Sequence, residues 1–208
     1  MSPAQSPYEA ALGDRFSLLH PRLRSYFSLI PPGSTGVGEG AFDTVGTPRG
    51  WLRPLIRLLA DPDVLFPVWE RDVPFTVVNT PTQDAGRSGV TGERTFHLVG
   101  GDRVMHDLIV VTPDGLVDIL GTRRRFRALF SAEVVDGGLH LASTRMAVRI
   151  GSRHLELPRL LTPRVRLTER FLDSDDRQHV EVTVCIPVLG SVYEYAGSFR
   201  YRVRAGDA

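Results

Sequence analysis

Hydrophobic and polar positions along the chain indicate a short helical beginning followed by a long series of β-strands. Between Tyr8 and Leu29, apolar residues recur near the 3.6-residue period of an α-helix, and Pro21 predicts a break or a second start within that stretch. A second short helix is predicted over residues 51–60. Its apolar side would carry Trp51, Leu55, Leu58 and Leu59.

Short runs rich in Val, Ile, Thr and aromatic residues fill the chain from Phe66 onward, after a glycine-rich strand over 36–46. These runs predict strands near 66–71, 73–79, 89–99, 102–111, 115–120, 124–135, 138–150, 162–173, 178–186 and 191–203. Turn sequences such as Asp114-Gly115 separate neighbouring runs and are typical of antiparallel hairpins. About ten strands joined in this way are too many for a flat open sheet and indicate a strongly curved or closed one.

The predicted fold class is therefore α+β, with two N-terminal helices beside a strongly curved antiparallel sheet or β-barrel of about ten strands. We expect a single domain over residues 1–208. Within it, residues 1–7 would form a loose tail, residues 8–60 a helical cap with the glycine-rich strand, and residues 61–204 the antiparallel barrel.

Composition excludes several classes of chemistry. All 25 residues counted as lysine plus arginine are arginines, so a Schiff-base enzyme, a pyridoxal-phosphate enzyme and a Walker-type phosphate loop lack their amine. The net charge of +1 gives no electrostatic footprint for nucleic acid or for an anionic membrane. The single cysteine, Cys185, has no partner for an internal disulfide. No signal peptide is visible and no apolar run approaches the roughly 20 residues of a membrane-spanning helix, so we expect a cytoplasmic location.

Motifs for cofactors and metals do not appear in the context that they need. The glycines from Gly36 to Gly40 continue into an extended segment, whereas a dinucleotide loop must lead into a helix. The six histidines are scattered, and none pairs with another at a spacing of two to four residues. We therefore expect neither a cofactor nor a metal site.

Side chains alternate across a strand, so a charged residue that shares parity with apolar neighbours is expected to face inward. This rule predicts a polar constellation inside the barrel. Its expected members are Glu39, Arg94, His106, Asp118, Glu169, Tyr193 and Tyr195. Arg124 shares parity with Phe126 and Phe130 and is a further candidate for an inward position, against the alternative of a solvated strand edge.

Two interpretations of this constellation stay open at this point. A buried arginine needs a carboxylate, so Arg94 with Glu169 or Asp118 would form a structural clamp. Alternatively, Glu169, Asp118 and His106 would be catalytic acids or bases, because an apolar cavity raises the pKa of a carboxyl group. The substrate would then be held by Arg94, Tyr193, Tyr195, Glu39, Trp69, Phe96 and Arg124.

Several segments together resemble the bacterial family of domains of unknown function that is numbered 4166. The segments, in chain order, are Leu19-His20-Pro21-Arg22-Leu23-Arg24 with Tyr26-Phe27, the strand Gly36 to Phe42, Glu93-Arg94-Thr95-Phe96, Leu116 to Gly121, Leu157-Pro158 with Leu161-Thr162-Pro163, and Ile186 to Gly190 with Tyr193, Tyr195 and Gly197. Asp118 is a departure, because the family usually shows Glu before that glycine. The resemblance covers nearly the whole chain. Domains of this family often follow a nucleotide-binding oxidoreductase domain, so the resemblance implies a small-molecule role.

The expected function is the binding of a largely apolar metabolite in a barrel cavity. One hypothesis makes the protein a cofactor-independent cyclase, isomerase or lyase of specialised metabolism, which works by confinement and one proton-transfer pair. The alternatives are a non-catalytic ligand carrier and an accessory or assembly domain for a separate oxidoreductase. We expect a small-molecule ligand, neither nucleic acid nor membrane as a partner, and leave a homodimer open.

Overall fold

The N-terminal helices begin and end where local sequence signals place them. The structure is a computed structural model that describes residues 5–59, 61, 63–151 and 153–205. Helix α1 spans Pro7–Leu12 and begins with a capping box, in which Ser6 and Glu9 each accept the other's backbone N–H. A 3₁₀ segment, Gly13–Leu18, leads to helix α2, Pro21–Phe27, so the predicted break at Pro21 is confirmed.

The described residues form eleven strands, most of them close to the bounds predicted from alternation. They are β1 Ser34–Gly46, β2 Trp69–Asp84, β3 Arg87–Leu98, β4 Gly101–Thr112, β5 Gly115–Leu120, β6 Phe126–Val135, β7 Gly138–Ile150, β8 Arg153–Glu156, β9 Arg164–Leu172, β10 Arg177–Ile186 and β11 Gly190–Ala205. The two strands predicted on either side of Asp72 are one continuous strand, and β8 was not predicted. Between β1 and β2, a 3₁₀ turn, Gly50–Leu52, precedes helix α3, Arg53–Leu59.

Ten of these strands close into an antiparallel barrel. The order is β6-β5-β4-β3-β2-β1-β11-β10-β9-β7, and β7 pairs back with β6. The first part of β7 pairs with β9 through Leu139–Ala142, and its last part pairs with the extra strand β8. The predicted α+β class with a closed antiparallel sheet is confirmed.

The first and last strands of the barrel are neighbours. Ser34 of β1 lies opposite Ala205 of β11, and the pairing continues to Gly46 opposite Glu194. On its other side β1 pairs with β2. The glycine-rich strand therefore belongs to the barrel and not to the helical cap to which the sequence interpretation assigned it.

The glycines of β1 face the barrel interior, and the side chains between them face outward. A Cβ atom at Gly40 would overlap the Ser198 carbonyl oxygen, and one at Gly38 would lie 2.6 Å from Val77. The prediction that Glu39 faces inward is wrong: its carboxylate lies outside, 3.0 Å from the Arg202 guanidinium. Glycines carry no side chain, so the inward face of β1 left no hydrophobic signal in the sequence before Phe42.

Helical segments cover both ends of the barrel. At the end with the β4–β5, β6–β7 and β9–β10 turns, α1 and α2 bury Leu12, Leu23 and Phe27 against the strands. At the opposite end, the 3₁₀ turn before α3 buries Leu52, and α3 buries Ile56. None of the helices in the described ranges has the length and apolar content needed to cross a membrane.

Helix α3 turns a different face to the barrel than its sequence period suggested. Trp51 and Leu58, which we predicted on the packed side, are 63% and 80% exposed, and Leu55 is also exposed. These three residues of the predicted apolar side therefore face solvent, while Leu52 and Ile56 make the contacts with the core. The side chain of Leu59, the fourth predicted member, lies outside the part of the chain that the structure describes.

Candidate functional site

A cavity of about 140 Å³ lies inside the barrel, between the two helical covers. It extends from Tyr8 of α1 to Asp61 and Leu65, which follow α3. Its apolar wall consists of Val64, Leu65, Met105, Ile109, Leu120, Phe126, Phe130, Leu141, Met146, Pro163, Val165, Leu167, Val182 and Val184. Its polar lining consists of Tyr8, Asp61, Arg94, Asp107, Asp118, Glu169, Tyr193 and Tyr195.

An ion pair between Arg94 and Asp107 forms the centre of the polar lining. Arg94 projects inward from β3 and Asp107 from β4, where Gly92 lies directly opposite Asp107. A Cβ atom at Gly92 would overlap the Asp107 carboxylate, so this glycine makes the room for the ion pair. The side chain of Asp107 is 4% exposed, so the ion pair with Arg94 is the main interaction that offsets the cost of burying its charge.

Asp118 projects into the cavity from β5, opposite Ile109 of β4. Its Oδ1 atom is buried and has no hydrogen-bond partner among the residues that the structure describes. Burial raises the pKa of Asp118 well above its ordinary value, and the nearby Asp107 carboxylate raises it further, while Arg94 acts in the opposite direction. Asp118 is therefore an acid that holds its proton more tightly than an exposed aspartate.

Glu169 lines the cavity from β9, and its carboxylate accepts a hydrogen bond from the Gln178 amide on β10. Burial raises the pKa of Glu169 to about 7, although the Gln178 hydrogen bond and the Arg94 charge both lower it. At neutral pH this carboxyl group is thus present in both its acid and its base form.

Tyrosine hydroxyls complete the polar lining. Burial raises the pKa of Tyr195 to about 12, so this residue is a hydrogen-bond donor and not a phenolate. Burial also raises the pKa of Tyr193. The Tyr193 hydroxyl lies towards the backbone of Phe66 without a hydrogen bond of normal geometry.

Five of the predicted site residues lie together at the cavity, namely Arg94, Asp118, Glu169, Tyr193 and Tyr195. Phe96 is fully buried in the core beside Tyr195, with ring centres 6.0 Å apart, but it does not line the cavity. Trp69 begins β2, is half-buried and does not line the cavity either. Both residues are thus outside the wall on which we predicted them.

Two further predictions of inward side chains are wrong. His106 lies on the outer face of β4, 3.8 Å from Glu93, so it is not a candidate acid or base of the cavity. Arg124 adopts a positive φ in the β5–β6 turn, and its guanidinium lies 3.0 Å from Asp84. Neither residue reaches the cavity, because β4 is apolar on both faces and the turn interrupts the alternation assumed for Arg124.

Four polar residues at or beside the cavity were missed. Asp107 and Gln178 are the partners of Arg94 and Glu169, and Tyr8 and Asp61 line opposite ends of the cavity. The β3–β4 turn contained a usable signal for Asp107. Once Leu98 pairs with Gly101, the antiparallel register places Asp107 on the same face as Arg94.

The arrangement supplies one permanently charged donor, Arg94, and two carboxyl groups with raised pKa values. Of these, Glu169 can exchange a proton near neutral pH. Among the described residues, no group of three histidine, cysteine, aspartate or glutamate side chains is placed to hold a metal ion.

The titration of Glu169 is expected to make the protein less stable as the pH rises from about 4.5 to about 7. Over this interval the folded protein binds the proton more tightly than the unfolded chain does, so the free energy of unfolding falls with pH and levels off above it. The total change is about 3 kcal/mol. Urea unfolding at several pH values in this interval gives the free energy of unfolding as a function of pH. Its slope should be smaller for Glu169→Gln than for the wild type.

Asp118 contributes a slope of the same sign, so Glu169→Gln should reduce the pH dependence without abolishing it. The matched control is Glu181→Gln, which changes an exposed glutamate on the neighbouring strand and should keep the wild-type slope. Equal slopes for the wild type and Glu169→Gln would contradict the assignment of the titration to Glu169.

Comparisons with known proteins give one family and one relative. A family model described as "Domain of unknown function (DUF4166)" matches residues 19–199. The chain is 26% identical over 194 residues to "Uncharacterized protein YndH" of Bacillus subtilis (strain 168), which covers 91% of this chain and 94% of that protein. No solved structure matches the chain.

Proposed function

Because the chain belongs to the DUF4166 family of domains of unknown function, we propose a function from its cavity: the protein binds a small, largely apolar molecule inside the barrel. The observation that carries this proposal is the cavity itself, an apolar space with a compact polar cluster on its wall. Binding sites for small molecules typically combine a mainly apolar wall with a few polar groups that orient the ligand.

The cavity volume limits the size of the ligand. An engineered apolar cavity of about 150 Å³ in another protein accepts benzene. The cavity of about 140 Å³ described above therefore suits a ligand portion of one six-membered ring with a short substituent. Arg94 and Tyr195 are the donors that would orient an oxygen of such a ligand.

The same cluster supports an enzymatic version of this function. Asp118 and Glu169 would transfer a proton to and from the bound molecule, as in a cofactor-independent isomerase, cyclase or lyase. The raised pKa values of both carboxyl groups support this role, because each holds its proton closer to neutral pH than an exposed carboxyl would. A ligand carrier needs the same cavity but no proton transfer.

One observation favours a second function, that of an accessory domain. The exposed face of α3 presents Trp51, Leu55 and Leu58 to solvent, and an apolar helix face of this kind is typical of a surface that contacts a partner. If the protein acts by binding a partner at this surface, the cavity variants described below should have no effect on its function.

Native mass spectrometry of the purified protein tests the binding proposal directly. We expect an adduct with the mass of a small organic molecule, released on denaturation. A screen of single-ring compounds by thermal shift extends the test to protein that carries no adduct. Turnover of any bound compound that survives unchanged in both Asp118→Asn and Glu169→Gln would exclude the proton-transfer version.

A variant that fills the cavity is expected to abolish binding while the fold is kept. Val165 of β9 borders the cavity, and Val165→Phe would place a ring in the space that the ligand needs. Compounds that raise the melting temperature of the wild type by a few degrees should no longer do so. The control is Val135→Phe at the exposed end of β6, which should bind as the wild type does.

A further inference from the structure

The charged groups on the cavity wall are strongly unbalanced. Among the described residues that line the cavity, Arg94 is the only cation, whereas four carboxyl groups face the same space. They are Asp61, Asp107, Asp118 and Glu169. If all five groups were ionised, the lining would carry a net charge of −3 inside a mainly apolar barrel.

Three of the four carboxyl groups have partners within the protein. Asp107 is paired with Arg94, and Glu169 accepts a hydrogen bond from Gln178. Asp61 accepts the backbone N–H of Asp63 at 3.2 Å. Asp118 differs, because its Oδ1 atom is buried and lacks a hydrogen-bond donor.

Asp118 lines the cavity, so a hydrogen-bond donor for its unpartnered carboxyl group would come from the ligand. A neutral hydroxyl would supply one hydrogen bond, but it would leave the excess of carboxyl groups uncompensated. An ammonium group would supply both the hydrogen bond and the opposite charge, and charge-assisted hydrogen bonds are about twice as strong as neutral ones.

We propose that the cavity selects a small apolar amine, which binds as its ammonium ion beside Asp118. This inference rests on the proposed binding function and names the chemical class of the ligand. The apolar part of the amine would occupy the space between Ile109 and Val165, and its nitrogen would donate to the free carboxylate oxygen of Asp118.

The proton balance of this binding step is defined. At pH values below its raised pKa, the Asp118 carboxyl of the free protein holds a proton. When the ammonium ion binds, this carboxyl gives up that proton to solvent, and the ion pair forms with the carboxylate. Affinity is therefore expected to increase with pH by up to tenfold per unit, and to level off once Asp118 is ionised in the free protein.

The groups that face Asp118 determine this titration. Arg94 of β3 and Asp107 of β4 lie next to it, and Tyr195 of β11 also interacts with it electrostatically. Asp61 and Glu169 line other parts of the cavity, and α1 contributes Tyr8. In this set Asp118 alone is a carboxyl group without a donor.

A matched series of three probes tests the proposal, since benzylamine, benzyl alcohol and toluene share one ring and differ in the polar group. Calorimetry with the full-length protein at about pH 7.5 should give benzylamine an affinity about tenfold above that of the other two. This preference should fall below about threefold in Asp118→Asn, which keeps the shape of the side chain. Titrations in two buffers of different ionisation enthalpy, repeated over about pH 5 to 8, should show proton release by the wild type on binding benzylamine in the part of this range below the Asp118 pKa, and none on binding toluene.

Each outcome decides a separate point. Binding by none of the three probes would count against the proposed binding function as well as the amine inference. Toluene or benzyl alcohol binding as tightly as benzylamine would overturn the amine inference and leave the binding function standing. An amine preference that persists in Asp118→Asn, or benzylamine binding without proton release, would remove Asp118 from the proposal. Proton release is measured on the wild type, so it tests the role of Asp118 even if Asp118→Asn folds poorly.

Discussion

Replacement of Arg94 by methionine is expected to lower the free energy of unfolding by about 3–5 kcal/mol. Methionine fills much of the same volume, but it leaves the buried Asp107 carboxylate without its partner. Arg94 also offsets the charges of Asp118 and Glu169, so its removal raises the cost of ionising both of these groups. Urea unfolding at about pH 8 should show the largest loss of stability, because at lower pH Asp118 and Glu169 take up protons and no longer need the positive charge of the arginine.

A double variant separates the loss of a partner from the loss of packing. Arg94→Met combined with Asp107→Leu removes both charges, and we expect it to recover more than half of the stability that Arg94→Met loses. The control is Arg145→Met, which breaks an exposed ion pair with Asp114 at 3.4 Å and should cost less than about 1 kcal/mol. If Arg94→Met lost as little stability as Arg145→Met, the buried Asp107 carboxylate would not need the arginine as its charge partner.

Alanine at Gly40 is expected to prevent folding or to cost about 3 kcal/mol or more. The added Cβ would overlap the Ser198 carbonyl oxygen on β11, and backbone atoms cannot move aside by a change of rotamer. Because β1 and β11 lie side by side throughout this region, the clash would separate the two strands that close the barrel.

Alanine at two further glycines is expected to cost less stability than alanine at Gly40. A Cβ at Gly38 would meet the side chains of Val77 and Phe199 at 2.6 and 2.9 Å, which can adjust in part, so Gly38→Ala should cost less than Gly40→Ala. Gly50 has no atom within 4 Å of such a position, and Gly50→Ala should stay within about 0.5 kcal/mol of the wild type. Folded yield and urea midpoints of the three variants would reveal the order, and equal effects at Gly40 and Gly50 would contradict it.

Alternation of apolar residues was sufficient to predict most of the strands and the closed sheet. It succeeded because strands such as β9 expose one face and bury the other. It did not predict β8, whose four residues are all exposed and therefore lack a buried face. For α3 the helix itself was predicted, but its buried side was not, since leucines occur on both sides of the helix.

Prediction of the candidate site depended on whether each strand had one apolar face. Glu169 and Arg94 share parity with apolar residues on strands with polar outer faces, and both lie at the cavity. His106 was misplaced because the outer face of β4 carries Leu108 and Val110 in a small buried cluster of its own. Alternation cannot identify the inward face of a strand that is apolar on both faces. For such a strand, the pairing register set by the turn is the better guide.

The pairing of β1 with β11 has a consequence for the synthesis of the protein. Residues that are about 160 positions apart in the chain must meet before the barrel closes, and contacts of such high sequence separation form slowly. Until β11 emerges from the ribosome, both β1 and β10 present unpaired strand edges. The cavity also lacks Tyr193 and Tyr195 until then, so its polar lining is completed only when the last strand has been made.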